Sequence, residues 1–285
     1  MVETSPKLKF SGHESFHCRQ FWLKKGFDHI QENRTFNEEA VLDLGVGKNM
    51  VGSIRFWLRA FDIVNEDSEI NEWANHIFKD DGWDPYMEDE ATLWLLHYKL
   101  CQNNYSSIYN FIFTELRKVR PEFSKQHFIL KVSDKDKGQS KNSLDKDFTV
   151  FTRTYFAKPS KDKEESFSGL FSELELVKEA GEDNQNNQLY HISNRRENLI
   201  PWQLILYCIL ENESFGDSIS IKDLTSPKGL ASIFVFSIDE LENKLIEIGN
   251  NIKGVVYKND AGVKELQFKN GKPKAIEILK AYYEK

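Results

Sequence analysis

Apolar residues recur at every third or fourth position over Phe36 to Phe61, Ile70 to Phe78 and Ala91 to Val119, and this spacing constrains the chain more than any other feature. It places an apolar stripe along one side of each of several helices, so residues 1–125 are expected to form one helical unit that buries those stripes together. The polar stretch QNNYSS at 102–107 divides the last run into two helices, and Pro121 marks the end of the unit.

The pattern changes between 126 and 197. KVSDKDKGQSKNSLDKD (131–147) is read as a charged loop or mobile linker, and FTVFTRTYF (148–156), rich in Thr and aromatics, as a strand. A charged loop, KPSKDKEES (158–166), a short helix from Gly169 to Glu179 and the polar GEDNQNNQ are expected to follow.

The last part, 198–285, has sharper signals. Pro201 opens the apolar helix WQLILYCIL, where its missing N–H costs nothing. ISIKDL reads as a short strand running into a helix, and Ser237 with Glu240 forms a capping box that opens a helix from Ile238 to Ile248. GVVYKND and VKELQFK flank Asp260, Ala261 and Gly262 as a hairpin. Helices followed by a hairpin suggest a winged-helix-like domain. Its groove-facing helix would carry Asp239, Glu240, Glu242 and Glu247 against Lys244, which phosphate repels, so protein contacts or a homodimer are the expected use. The fold class expected is therefore mostly α with small β (α+β), in three parts.

The net charge of -7 argues against indiscriminate coating of nucleic acid, but the charges are segregated. Lys7 to Lys25 holds five basic residues, Arg19, Lys24 and Lys25 among them, against the single acid Glu14. Gly47 to Phe61 holds Lys48, Arg55 and Arg59 with no acid, and Asp62 to Glu90 then holds eleven acids against Lys79. The basic stretches suit phosphate, while the acidic block reads as solvated surface, a metal site or a mimic of nucleic-acid charge. Cys18, Cys101 and Cys208 are too far apart in sequence to form a CxxC pair, and neither a membrane-spanning run nor a secretory h-region appears, so a cytoplasmic protein with reduced thiols is expected.

NEEAVLDLGVGKNMVGSIRFWLRAF (37–61) fits a helix-turn-helix. Asn37 is placed to cap the first helix, Val41, Leu44, Val46, Val51 and Ile54 to make its small core, and Gly45 to take the positive φ of the turn. The second helix would then present Lys48, Asn49, Gly52, Ser53, Arg55 and Arg59 to DNA, Asn being suited to adenine, Arg to guanine and Lys to phosphate. The plain alternative is an αα-hairpin whose cations pair with the acidic block.

His13 to His17 spells HExxH, which on a helix would hold zinc. With no apolar helix before it and no third ligand at a recognised spacing, a structural or DNA-facing role is preferred over zinc. The carboxylates from Asp80 to Glu90 are dense enough for Mg²⁺ or Mn²⁺ and phosphodiester cleavage, or else they serve the N-terminus of the helix that follows.

Several phrases occur in the order found in a bacterial family of formerly unknown function whose members begin close to FSGHESF. They are FSGHESFHCRQFWLKKG, LGVGKNMVGSIRFW, DPYMEDEATLWLLHY, TRTY and KNDAG, spread over most of the chain. The chain resembles that family, whose members are similar to proteins encoded beside DNA phosphorothioation and other phage-defence genes, with a sulfurtransferase or PAPS-reductase-like partner and ATPases. One branch resembles the DNA-nicking component of the single-strand phosphorothioation system. The resemblance points to His13, Glu14 and Arg19, to Lys48 and Asn49, and to Asp84, Glu88 and Asp89, while His17 departs from the family's phrase. It implies a DNA-binding component that nicks one strand, with His13, Glu14, Asp84, Glu88 and Asp89 as the catalytic set; the alternatives are a non-catalytic DNA-recognition subunit and, third, a transcriptional regulator.

Overall fold

The computed structural model describes residues 7–156, 169–260 and 262–285, so the expected charged loop at 158–166 and Ala261 lie outside the described residues. About half of the chain is helical and two small three-stranded sheets accompany the helices, which makes the fold α+β.

Trp22, Leu23, Gly26 and Phe27 share the buried face of α1 (Trp22–Gln31). After α2 (Ala40–Leu44) the chain turns at Gly45, φ 63°, into α3 (Lys48–Ala60). Ala40, Leu44, Val51 and Ile54 are buried, with Val41 and Val46 packed at the edge of the same core. Asn37 does not cap α2: its Oδ1 accepts the Glu39 N–H at 2.9 Å in the turn before the helix, which begins at Ala40. No atom stands where a Cβ at Gly45 would point, so only the positive φ selects the residue. Gly45→Val is expected to lower stability by about 1–2 kcal/mol and Gly45→Asn by much less, which thermal unfolding measures.

α4 (Glu72–Phe78) leads to α5 (Glu90–Asn103), which is buried on every side from Ala91 to Cys101. Asn104 at φ 54° ends it, and the next helix follows as expected: α6 (Ser107–Phe111), a wider π-helical turn (Ile112–Leu116) and α7 (Arg117–Val119). The short β1 (Glu122–Phe123) comes just after Pro121.

The middle segment corrects the sequence expectation. KVSDKDKGQSKNSLDKD is largely helical, belonging to α8 (Lys125–Lys135) and the start of α9 (Lys141–Tyr155), and FTVFTRTYF is the rest of α9 rather than a strand. Leu144, Asp147, Phe148, Phe151, Thr154 and Tyr155 are buried at helical spacing, a period that is visible only when both stretches are taken together. The threonines that suggest a strand bond back along the helix, Thr149 to Asp145 O, Thr152 to Thr149 O and Thr154 to Val150 O, all at 2.8–2.9 Å. Gly169 to Glu179 is not a helix beyond one 3₁₀ turn (Ser172–Leu174). It runs into β2 (Val177–Glu182), which pairs with β3 (Gln188–Ile192) across the polar GEDNQNNQ, in the sheet order β1-β3-β2.

The C-terminal elements match their signals. α10 (Trp202–Leu210) follows Pro201, and β4 (Ser218–Ser220) enters α11 (Ile221–Leu224). After α12 (Leu230–Phe234), the Ser237–Glu240 capping box opens α13 (Ile238–Asn251). β5 (Val255–Asp260) and β6 (Val263–Phe268) form the hairpin, with β4 on the far side of β6, and α14 (Ala275–Tyr283) packs on α10.

Residues from all three sequence parts enter one apolar cluster. His97 of α5, fully buried, fastens them together: Nδ1 is 2.7 Å from the Tyr155 hydroxyl and Nε2 is 2.9 Å from the Ile233 carbonyl. Nε2 must donate to that carbonyl, which leaves Nδ1 to accept from Tyr155. Among the described residues no helix is long and apolar enough to cross a membrane.

Candidate nucleic-acid interface

α3 is amphipathic in charge as well as in hydropathy. Its inner face carries Val51, Ile54, Trp57 and Leu58, whereas Lys48, Asn49, Gly52 and Arg55 are exposed and Arg59 is half-exposed. Lys48, Gly52, Arg55 and Arg59 follow one another at spacings of four, three and four, one row along the helix surface. The helix itself contains no acid. Lys48 comes within 3.6 Å of Glu38, but both side chains are more than four-fifths exposed, so that pair holds little. Among the described residues Arg55 forms no ion pair.

Ser53 is corrected: it is fully buried, on the side of α3 that also carries Phe56 and against which the N-terminal segment packs. Lys24 is corrected too. It is 5% exposed and bonds Asp28 at 2.6 Å and Asp80 at 2.7 Å, so it joins α1 to the acidic block instead of facing phosphate. Burial works against its charge, but the two carboxylates more than offset this and leave its pKa above the usual lysine value. Lys25 is exposed and donates to the Leu44 carbonyl at the end of α2, and the half-exposed Arg19 lies over the Trp22 ring at 5.3 Å.

The HExxH string lies in a turn, so its two imidazoles do not share a helical face. His13 is 3% exposed, and its Nε2 is 2.8 Å from Asp147 of α9. Nδ1 accepts the Ser15 N–H at 3.1 Å, so the ring proton sits on Nε2 and points at Asp147. The same carboxylate accepts the Ser11 N–H at 2.9 and 3.0 Å. The ring is walled by Phe56, edge-on at 5.7 Å, and by Trp57, stacked at 6.3 Å.

These bonds hold a strained backbone. Ser11, Gly12, Glu14 and Ser15 all have positive φ, from 49° to 100°, at a cost of about 1–2 kcal/mol for each non-glycine residue. Gly12 also lies against Phe56, where a Cβ would come within 2.9 Å of the ring. The result is that Glu14 is exposed and lies over Gly52, its Cγ 3.8 Å from where a Cβ there would stand. His17 is half-buried, and burial with the nearby charges of Arg153 and Arg19 lowers its pKa to about 4.

Asp147 was missed by sequence reasoning because it falls in a stretch taken for a linker. The signal that finds it is an acid on the apolar stripe of α9, since a carboxylate pointing into a core requires a partner there.

The acidic block is spent on structure. Asp84, 7% exposed, accepts the N–H groups of Glu88 and Asp89 at 2.8 and 3.0 Å, and Asp89 caps α5 through the Ala91 N–H at 2.8 Å. Tyr282 donates to Asp89 at 3.1 Å, and its own pKa is pushed up to about 12 by burial and by that carboxylate. Glu90 binds Arg196 through two bonds of 2.9 and 2.8 Å, and Asp62 binds Lys99. Glu88 stays exposed. Among the described residues no hydrogen bond joins His13 or Glu14 to Asp84, Glu88 or Asp89, and no three His, Cys, Asp or Glu side chains gather to hold a metal ion. Asp84 and Asp89 already accept N–H and O–H donors from the protein, so the lone pairs turned to those donors are not open to a cation.

No curated protein matches the chain. Among solved structures, a magnesium-bound crystal structure of SspB is similar to it over 97% of this chain and 88% of that one, with a TM-score of 0.83 and 25% identity. Another SspB crystal structure is similar over the same shares, with a TM-score of 0.81 and 24% identity. The family model described as protein of unknown function DUF4007 matches residues 10–283, nearly the whole chain, and the chain belongs to that family.

Proposed function

We propose that the chain is a DNA-recognising component of a DNA phosphorothioation system, and that α3 is the element it lays against the duplex. The observation that carries this reading is the exposed row of Lys48, Gly52, Arg55 and Arg59 on a helix without an acid. Lys48 meets phosphate, while Asn49 and Arg55 face base edges. Glu14 over Gly52 puts a carboxylate in the middle of this row, which disfavours a phosphate there and suits a donor on a base, such as the cytosine amino group. The system is chosen on the family phrases and on the likeness to SspB, a component of such a system.

The α2–Gly45–α3 hairpin is then of helix-turn-helix type, and the β4–α11–α12–α13–β5–β6 order that of a winged helix. On α13 Glu242 pairs with Lys264 and Glu247 with Lys244, so Asp239 and Glu240 are the acids that turn that part toward protein, either a sulfurtransferase-like or ATPase component or a second copy of the chain.

In a gel shift, the wild-type chain is expected to bind duplex DNA in a salt-sensitive manner, and Lys48→Ala with Arg55→Ala to weaken that binding about tenfold or more. Equal affinity of the double variant would remove α3 from the interface. Supercoiled plasmid incubated alongside with Mg²⁺ or Mn²⁺ separates recognition from nicking: unchanged topology is expected for a recognition subunit, and relaxed circles would make the chain a nickase.

A further inference from the structure

The row on α3 does not stop at the helix end. Tyr105 lies in the break between α5 and α6, its ring 5.3 Å from Phe56. Two cations from distant parts of the sequence approach this ring, Lys9 with Nζ at 6.0 Å and Arg59 with Cζ at 5.3 Å from its centre. Both are placed by backbone contacts rather than by carboxylates. Lys9 donates its N–H to Ser107 Oγ at 2.8 Å and accepts the Ser107 N–H at 2.9 Å, and Arg59 donates to the Glu66 carbonyl at 3.2 Å. Among the described residues neither cation forms an ion pair. Two like charges near one ring and without an ion-pair partner repel each other, and an anion that meets both relieves that repulsion.

We infer that Lys9, Tyr105 and Arg59 form a second phosphate contact that clasps the DNA backbone at the C-terminal end of α3, an inference that rests on the DNA reading above. Eleven residues separate Lys48 from Arg59, about 16 Å along a helix, and the major groove is about 12 Å wide. Cations at the two ends of α3 therefore reach phosphates on opposite sides of one groove, with Asn49, Glu14 and Arg55 over its floor. The helix then lies across the groove rather than along it. The acids Glu66, Asp67 and Glu69 sit just beyond Arg59 and repel phosphate on that side, so the backbone is directed toward Lys9.

Fluorescence anisotropy of a labelled duplex of about 25 base pairs, taken over a range of salt, tests this. Lys9→Gln with Arg59→Gln is expected to weaken binding about tenfold on every sequence and to reduce the slope of log Kd against log salt by about two, one for each phosphate that is no longer neutralised. Lys9→Gln alone, on an exposed side chain, is expected to reduce the slope by about one with no change in melting temperature. Lys9→Arg with Arg59→Lys keeps both charges and should restore wild-type affinity, and Tyr105→Leu should lose part of the slope that Tyr105→Phe retains. An unchanged slope in both Gln variants, with Lys48→Gln and Arg55→Gln still weakening binding, overturns the two-ended clasp and leaves the α3 reading standing. A wild-type chain that binds no duplex overturns both.

Discussion

Asp147→Ala is expected to destabilise the protein by about 3 kcal/mol, because it strips the partner from the buried His13 ring and from the part-buried Ser11 N–H at once. The Ser11 N–H and the proton on His13 Nε2 both end on that carboxylate, which is itself buried together with the His13 ring. For a chain of this length the melting temperature should fall by roughly 6–12 °C. Asp147→Asn keeps one acceptor for Ser11 but turns its amide N–H₂ toward the His13 proton or forces the other tautomer, so it should fall between Ala and wild type. The more specific check is a cycle of His13→Phe and Asp147→Ala, which should be coupled by more than about 1 kcal/mol; additivity within about 0.5 kcal/mol would show that the two residues do not act together. On the proposed DNA reading, Asp147→Ala should also relax discrimination between DNA sequences, because Glu14 keeps its place over Gly52 only while the strained turn from Ser11 to Ser15 is held.

The second large effect is on stability against pH. Burial lowers the His97 pKa from 6.5 to about 4, more than the Ile233 carbonyl raises it, and the charge of Arg117 adds to the fall. The folded chain therefore keeps this ring neutral over a range in which the unfolded chain takes up a proton. The stabilisation is fully present above about pH 6.5 and is lost as the pH drops toward 4, and for a shift of this size it amounts to about 3 kcal/mol. His17, with a pKa also near 4, acts in the same direction. Urea unfolding at pH 7 and pH 4.5 should show a large fall in midpoint for the wild type. In His97→Gln, which retains a donor for Ile233 without a titrating ring, the fall should be clearly smaller. An equal fall in both would remove His97 as a cause.

Where an element's own residues carry its pattern, the sequence was a sufficient guide. Gly45, the Ser237–Glu240 box, Pro201 and the two flanks of the last hairpin each act within a few positions, and each appears at its expected place. α9 shows the opposite case. Its Thr and aromatic half has the composition of a strand, its charged half that of a linker, and only the period running through both makes a helix. The acidic block was legible as a helix N-terminus at Asp89, but its closure by Lys24, Lys99 and Arg196 depends on residues up to about a hundred positions away. Lys9 was legible only as one cation of a basic stretch and Tyr105 only as part of a polar break between helices, and their juxtaposition with Arg59 comes from the fold.

By itself the sequence determined that α3 would be a helix with cations on its outer side, because helical periodicity and charge segregation are properties of neighbouring residues. Tertiary structure alone decided which of those groups remain available. Long-range ion pairing removes Lys24, burial removes Ser53, and a hydrogen bond across 134 residues turns His13 from a candidate reacting group into the anchor of the loop that presents Glu14. The reason is physical: a charged or polar side chain is committed by whatever donor or acceptor the fold brings within about 3 Å, and that partner need not be near it in the chain.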